Sequence, residues 1–534
     1  PASTAGKPKR RSKMTSTGPV LRHRIAIVGA GITGAVAATE LAKLVASKAR
    51  TSSSSKESQH NEQLFQIVVF DQGRRGPGGR ASHRSVSIST GDVLPDDAEN
   101  IEKYFSEDSG TNNDEGKTYQ FDHGCQFFRA DNRLMREDLL KPWLSRGWVE
   151  PWKARLGCLS PRGAASDKTE SADFFGVPSK LSKDNNDVFI SLGGMHLLPR
   201  RILDEYKINL NDSDGSSGDD DNKNINSGTT PEMNCLIEVH RGTRVQSVRR
   251  NDESNKWDLC VVSGASAYHD TKQKNISSSD GNFFHCNFDS VVFTDISSSS
   301  DAWHRASAGI PDSFRSKLPP KIRIPLFSCM IALKTPISQC LPFDAFAAQH
   351  DKLWFAAKQP SPSSMECWTL ISTPSFAVDE IQSTTMRDEK TGEFLPQENS
   401  YLNTIPGPEL ANSFIDLVRP YVEQSQGTDG QLEIVYLQAQ RWGSGLPAPN
   451  SIVKTSVEVC GSVYASELLT PSLVYETSSS TADPRQPEND FIADDSEQLY
   501  YAGDFCSYRN PGFEAAALSG LNVARHIMRN IASK

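Results

Sequence analysis

Two glycine-rich stretches and two acidic residues carry the chemistry this 534-residue sequence offers most plainly. The first stretch is Gly29-Ala30-Gly31-Ile32-Thr33-Gly34; the second, inside "FDQGRRGPGGRASHR", is Gly78-Gly79-Arg80. Backbone without side chains lets amide N–H groups come close to a phosphate, and a guanidinium meets its charge with paired hydrogen bonds. Asp71, followed by Gln72, and Asp504, in "YYAGDF", can accept hydrogen bonds from ligand hydroxyls. Two phosphate-ready loops with hydroxyl acceptors describe a dinucleotide site. An acid at position 71 repels a ribose 2′-phosphate, while Arg74 and Arg75 keep such a ligand open. For Asp71 the alternative is an ordinary surface-turn acid; Arg74, Arg75 and Arg84 read equally well as solvated charges.

Positioning these residues requires a strand, a tight turn and a helix. Ile25 to Val28 form a β-branched run ending in Gly29, and Ala37, Leu41, Leu44 and Val45 then recur at helical spacing. In this reading Gly29 makes the turn, Gly31 admits a pyrophosphate and Gly34 lets the helix pack against the strand. A second strand, Phe65 to Asp71, follows a polar run from about Ser47 to Glu62 that is read as looped out. At the C-terminus "LYYAGD" is a strand ending in Gly503-Asp504. Pro511 and Gly512 set the start of a helix whose Phe513, Ala516, Ala517, Gly520, Ala524 and Ile527 share one face. Amides at that start suit developing negative charge on a ligand; Glu514 there is also a plain first-turn acid.

Composition narrows the partners. With 57 Lys and Arg against 66 Asp and Glu, a net charge of -9 gives no general electrostatic case for nucleic acid or an anionic membrane. The ten cysteines include no C-x-x-C pair, so no zinc site or dithiol motif is signalled, and reduced thiols in an intracellular compartment are expected. No metal site is expected. Apolar runs fall short of a bilayer span, which predicts a soluble protein. The basic start, "KPKRRSK" to "LRHR", reads as a disordered tail; a cytoplasmic protein is expected, with plastid or mitochondrial targeting as alternatives. Polar insertions such as "SEDSGTNNDEGK" and "NDSDGSSGDDDNKNINSGTT" read as solvated loops.

"IAIVGAGITG", "VVFDQGRRGPGGRASHR", "FDHGCQFF" at 121 to 128, "TRVQSVRR" with "KWDLCVV", and "YAGDFCSYRNPGFEAAALSGLNVARHI" occur in the order seen in renalase-like proteins of the flavin amine oxidase superfamily. The chain resembles that family from about residue 21 to its end, outside the polar insertions. This resemblance implies an α/β fold: a discontinuous Rossmann-type FAD-binding domain with an interleaved α+β substrate domain containing an antiparallel sheet. The expected division is a tail at 1–20, an FAD-binding domain at 21–118, 191–300 and 496–534, and a substrate domain at 119–190 and 301–495. Carried over by position, Thr33 and Arg80 would contact phosphates, Gln126 and Phe127 would lie against the flavin, and Val245 would hold the adenine through its backbone. Val245 also fits any half-buried strand. Gln126, Phe128, Arg441 and Trp442 are the expected substrate-pocket residues; a structural Arg against a core Trp explains the last two equally well. Segment 188–203 reads as a turn and helix, "FDSVVFTD" as an exit strand, and the alternating runs of 301–495 as a sheet over the flavin.

An FAD-dependent oxidase is the leading functional expectation: a small-molecule hydride donor, a reduced nicotinamide isomer on the resemblance, reduces the flavin, and oxygen reoxidises it to give peroxide. Amine, porphyrinogen or polyene oxidation are the alternatives within the superfamily, and a non-catalytic FAD-binding sensor or interaction protein is the alternative outside it. Lys334 and Lys358 match no motif, so no catalytic residue is assigned.

Overall fold

The computed structural model describes residues 21–52, 64–73, 76–94, 118–160, 165–166, 188–206, 235–263, 282–299, 307–318, 322–359, 365–384, 399–426, 432–448, 453–459, 462–468, 490–507 and 511–533. Residues 1–20 of the basic tail, Arg74, Arg75 and nearly all of the polar insertions lie outside these residues, whereas the "LRHR" read as part of the disordered tail opens the first strand, Leu21–Val28, paired with Leu64–Phe70. Within them, no helix is long and apolar enough to cross a membrane.

The apolar runs around the first glycine stretch build a six-stranded sheet. Its order is Cys235–His240, Leu64–Phe70, Leu21–Val28, Ser290–Phe293, Leu499–Ala502 and Phe491–Asp494, the first five parallel and the last antiparallel. Such strands are buried on both faces, which is why they read as continuous β-branched and aromatic runs. "FDSVVFTD" forms a central strand, held between the first strand and Leu499–Ala502, and the chain passes from it to the second sheet, as an exit strand would. Helix Ile32–Ser52 covers one face together with helices Leu197–Asp204 and Phe513–Ser533. The first helix continues through Ser52, into the run read as looped out, because Ala, Lys and Arg sustain a helix there. Its crossing with the last helix is close: a Cβ on Gly520 would stand 2.3 Å from the Thr33 carbonyl oxygen. A three-stranded antiparallel meander, Thr243–Asn251, Lys256–Ser263 and Asn282–Phe288, packs on the opposite face.

A second, nine-stranded sheet is built mainly from 322–468 and joined by Leu156–Leu159 and Ala165–Ser166. At its centre the strand Ile322–Leu333 pairs antiparallel with both Glu366–Ser372 and the long strand Ile434–Ala448. Helix Pro406–Gln426 buries Leu410, Phe414, Leu417 and Val418 on one face of this sheet. The hairpin His83–Ser87 and Thr118–Asp122 packs its Val86, Tyr119 and Phe121 on Met330 and Ala332 of the other face. Segment 188–203 opens with a strand, Val188–Ser191, pairing with Phe128–Arg129 and Val149–Pro151, before the expected turn and helix. The fold is α/β, with a mostly parallel Rossmann-type sheet covered by helices on one face and by the meander on the other, and a second, mainly antiparallel sheet.

Candidate functional site

The first and fourth strands of the six-stranded sheet in chain order, Leu21–Val28 and Ser290–Phe293, are neighbours, and chain connections leave them in opposite directions. In open α/β sheets ligands bind beyond the carboxyl ends of strands at such a point. Here it opens into a cavity of about 1170 Å³ that runs from the glycine turns to the second sheet. That exceeds the roughly 300–1,000 Å³ of a cleft for one drug-sized ligand.

Two backbone loops meet in its wall. Gly29 donates to the Phe70 carbonyl at 2.8 Å with φ of +110°, and a Cβ there would lie 2.4 Å from Thr294 Oγ1, so only glycine fits. Gly34 packs directly under the turn: its Cβ would fall 2.0 Å from the Gly29 carbonyl oxygen. Gly78 donates to the Ala30 carbonyl at 3.1 Å, and a Cβ on Gly79 would reach within 3.3 Å of Gly31 Cα. The clustering of glycines in two distant stretches thus has one cause, backbone-to-backbone contact beside a cavity.

Asp71 stands just past its strand and is 6% exposed. Its Oδ1 accepts from Gly73 N at 3.3 Å, while the buried Oδ2 has no hydrogen-bond partner among the described residues. Burial pushes the carboxyl up to about 6, against the lowering effects of the Gly73 amide and of Arg200 and Arg241. A buried carboxylate oxygen without a donor is costly, and a ribose diol would supply the missing donors. Gln72, Thr243, Arg244 and Val245 line the cavity beside it, Val245 being buried.

At the other end of the loops Arg80 Nη2 lies 2.5 Å from Asp504 Oδ1, and Asp504 Oδ2 accepts from Gly512 N at 3.1 Å. Gly503 donates to Ser519 Oγ at 2.7 Å, which fixes the strand end against the last helix. Gly512, Phe513, Glu514 and Ala515 line the cavity, so the positive end of this 21-residue helix faces it. The glycine turns, the buried Asp71 and Asp504, the Arg80 guanidinium and the helix start together fit a bound FAD.

The other candidate residues, Thr33, Gln126, Phe127, Phe128, Arg441, Trp442 and Glu514, all line the cavity, and each also has a partner within the protein. Thr33 Oγ1 donates to the Ala516 carbonyl at 3.0 Å, joining first and last helices, so its hydroxyl is directed to packing and only its position borders the cavity. Glu514 Oε1 accepts from Asn132 N at 2.8 Å and anchors that turn. Phe128 is stacked on Phe513 at 4.5 Å and buried with Trp143; it supports the wall from the core of the dinucleotide domain. Gln126 Nε2 donates to the Asp122 and Gly124 carbonyls and shapes its own turn, and Phe127 stacks on Trp152 in the roof. Arg84 is 8% exposed and donates to Gln440 Oε1 at 3.2 Å, a buried cavity residue where a solvated charge was an option. Arg441 donates to the Thr384 carbonyl at 3.4 Å and Trp442 to Ser328 Oγ at 3.0 Å; both line the cavity, and the two side chains leave the strand on opposite faces. Lys334 pairs with Glu433 and Lys358 donates to Ser338 Oγ; neither lines the cavity.

The sequence reading missed His123, whose ring lies 5.4 Å from that of Trp442, and a buried trio of His83, Asp122 and His196. Asp122 Oδ1 accepts from Met195 N at 3.0 Å and from His83 Nδ1 at 2.9 Å, and His83 stacks on His196 at 4.5 Å with 19° between planes. Burial first, then His83, Arg200, Arg201 and His123, hold His196 far below the ordinary histidine range, so it is neutral. Their donor atoms lie within 4.8 Å of one another, a set of types that could hold a metal ion where the sequence signalled none. Nothing in the spacing of residues 83, 122 and 196 signals this trio. Cys125, also in the wall, is a protonated thiol: burial pushes it up to about 12.

No protein-family model matches the chain, and no curated protein matches it. Solved structures do. The p-nitrophenol 4-monooxygenase PnpA from Pseudomonas putida DLL-E4 is 11% identical, with 96% of this chain and 80% of that one covered and a TM-score of 0.38. Aklavinone-11 hydroxylase, in a ternary complex with FAD and aklavinone, is 12% identical over 96% of this chain and 64% of its own, at 0.42. A putrescine oxidase double mutant, redesigned in cofactor binding, is 13% identical over 96% and 100%, at 0.41. At such overlaps the functional reading rests on the site itself.

Proposed function

We propose that this chain is an FAD-dependent oxidoreductase, an oxidase whose donor is a small hydride donor of the reduced-nicotinamide-isomer type. The observation that carries it is the apposition of Gly78 and Gly79 on Ala30 and Gly31, between a buried Asp71 at one end and Arg80 with Asp504 at the other. Asp71 would hold the adenosine ribose, the two loops with Arg80 the pyrophosphate, and Asp504 a ribityl hydroxyl. The start of helix Phe513–Ser533 would favour negative charge on the isoalloxazine. Bound flavin would supply the redox chemistry, accepting a hydride from the donor and returning its two electrons and proton, with one more proton from solvent, to oxygen as hydrogen peroxide.

The donor end of the cavity is lined by Leu326, Ile371 and Trp442, and by Arg323 and Arg441, with no carboxylate among the described lining residues of the second sheet. An ammonium-bearing donor finds no counter-charge on that sheet, the lining carboxylates Asp71, Asp131, Asp295, Asp504 and Glu514 lying elsewhere in the wall. That favours a reduced nicotinamide over a monoamine, and alignment alone can serve hydride transfer. Releasing the flavin by denaturation should yield FAD, and dihydronicotinamide isomers should reduce it anaerobically and give peroxide in air. FMN, or no flavin after reconstitution, removes the reading; fast reduction by amines alone replaces it with an amine oxidase.

A further inference from the structure

The long strand Ile434–Ala448 is irregular beside Trp442. Ile324 pairs with Leu446 and Leu326 with Trp442, so Gly443, Ser444 and Gly445 bulge opposite Pro325 alone. Such a bulge re-aims the neighbouring side chain and, being glycine-rich, needs something to fix it. Arg80 Nη1 donates to the Gly445 carbonyl at 3.1 Å, while its Nη2 is 2.5 Å from Asp504. One guanidinium therefore spans the dinucleotide domain and the bulge of the opposite sheet. Backbone packing closes the same circuit: a Cβ on Gly124 would fall 2.0 Å from the Arg80 carbonyl oxygen and 3.2 Å from Trp442 Cζ2.

We infer that Arg80 is also a positioning residue: it pins the Gly443–Gly445 bulge, and through it Trp442, to the cofactor-binding domain. The planar fork is what makes this possible, because two of its five donors are fixed toward Asp504 and Gly445 and others remain for a phosphate. A phosphate held by the remaining donors would share this fork with the wall against which a donor lies. This inference rests on the proposed reading of the cavity.

Amide hydrogen exchange over residues 442–446 of the full chain tests it. Arg80→Lys keeps a positive charge but replaces the fork with one ammonium, so exchange there should rise by roughly tenfold, the worth of a hydrogen bond from a charged donor. The contact does not require a ligand, so the rise is expected with and without FAD, and a variant that holds FAD poorly still gives the result. Unchanged exchange in both states overturns the inference. In protein reconstituted with excess FAD, Arg80→Lys should also slow anaerobic flavin reduction at saturating dihydronicotinamide, and should add nothing in a Trp442→Ala background. Independent, additive losses overturn it. Should no dihydronicotinamide reduce the wild-type flavin, the functional reading fails while the exchange comparison still decides the role of Arg80.

Discussion

Asp71 gives the sharpest quantitative prediction. Its carboxyl is buried with one oxygen lacking a donor, and its pKa rises from 3.8 to about 6. At about 1.4 kcal/mol per unit, the shift costs the ligand-free protein roughly 3 kcal/mol once the group is fully ionised. Because the folded value lies above the unfolded one, this contribution to stability is present below about 4 and is lost as pH rises through about 6. A ribose diol donating to the carboxylate works in the opposite direction, so FAD binds the ionised form and its affinity should fall as pH drops below about 6. Asp71→Asn removes both effects: the apoprotein should gain up to roughly 3 kcal/mol at pH 7.5, less the cost of an amide in that site. The same variant should bind FAD at least tenfold more weakly at pH 7.5 than wild type, and the gap should narrow toward pH 5. Urea denaturation of both apoproteins, with calorimetric FAD titration across the same range, measures the two terms, and the difference between proteins removes other titrating groups. An Asp71→Asn protein that binds FAD as tightly as wild type at pH 7.5, or a pH-independent difference in apoprotein stability, would refute the assignment.

Two further outcomes follow from close contacts. Gly520→Ala places a Cβ 2.3 Å from the Thr33 carbonyl oxygen, so the last helix must move off the first; a loss of roughly 1–3 kcal/mol in the thermal or urea midpoint analysis is expected, with FAD affinity reduced as the helix start shifts. Glu514→Gln keeps an acceptor for Asn132 N while removing a charge, so FAD affinity should change by less than about threefold; a larger loss in a binding titration would return Glu514 to direct cofactor contact.

Much of the dinucleotide half is legible in sequence because its constraints are local. A strand that runs into a turn at φ of +110° with Thr294 against the turn residue has room only for glycine, so Gly29 announces itself, and the period of the following helix shows in Ala37, Leu41 and Val45. The C-terminal strand and helix are visible for the same reason. Roles that depend on a distant partner were not legible. Thr33 turns to Ala516, Glu514 to Asn132 and Phe128 to Phe513, each across a gap in sequence that no periodicity encodes. Arg84 read as a solvated charge because the strand that buries it, with Gln440, lies hundreds of residues away. His83, Asp122 and His196 come from a hairpin strand, its partner and a helix start, and stack only when those elements pack together. The sequence by itself therefore determined which backbone can approach a phosphate, since that is a property of glycine and of local turn geometry. Only the tertiary structure decided which charges are buried and what they face, since desolvation and hydrogen bonding arise from residues brought together by packing.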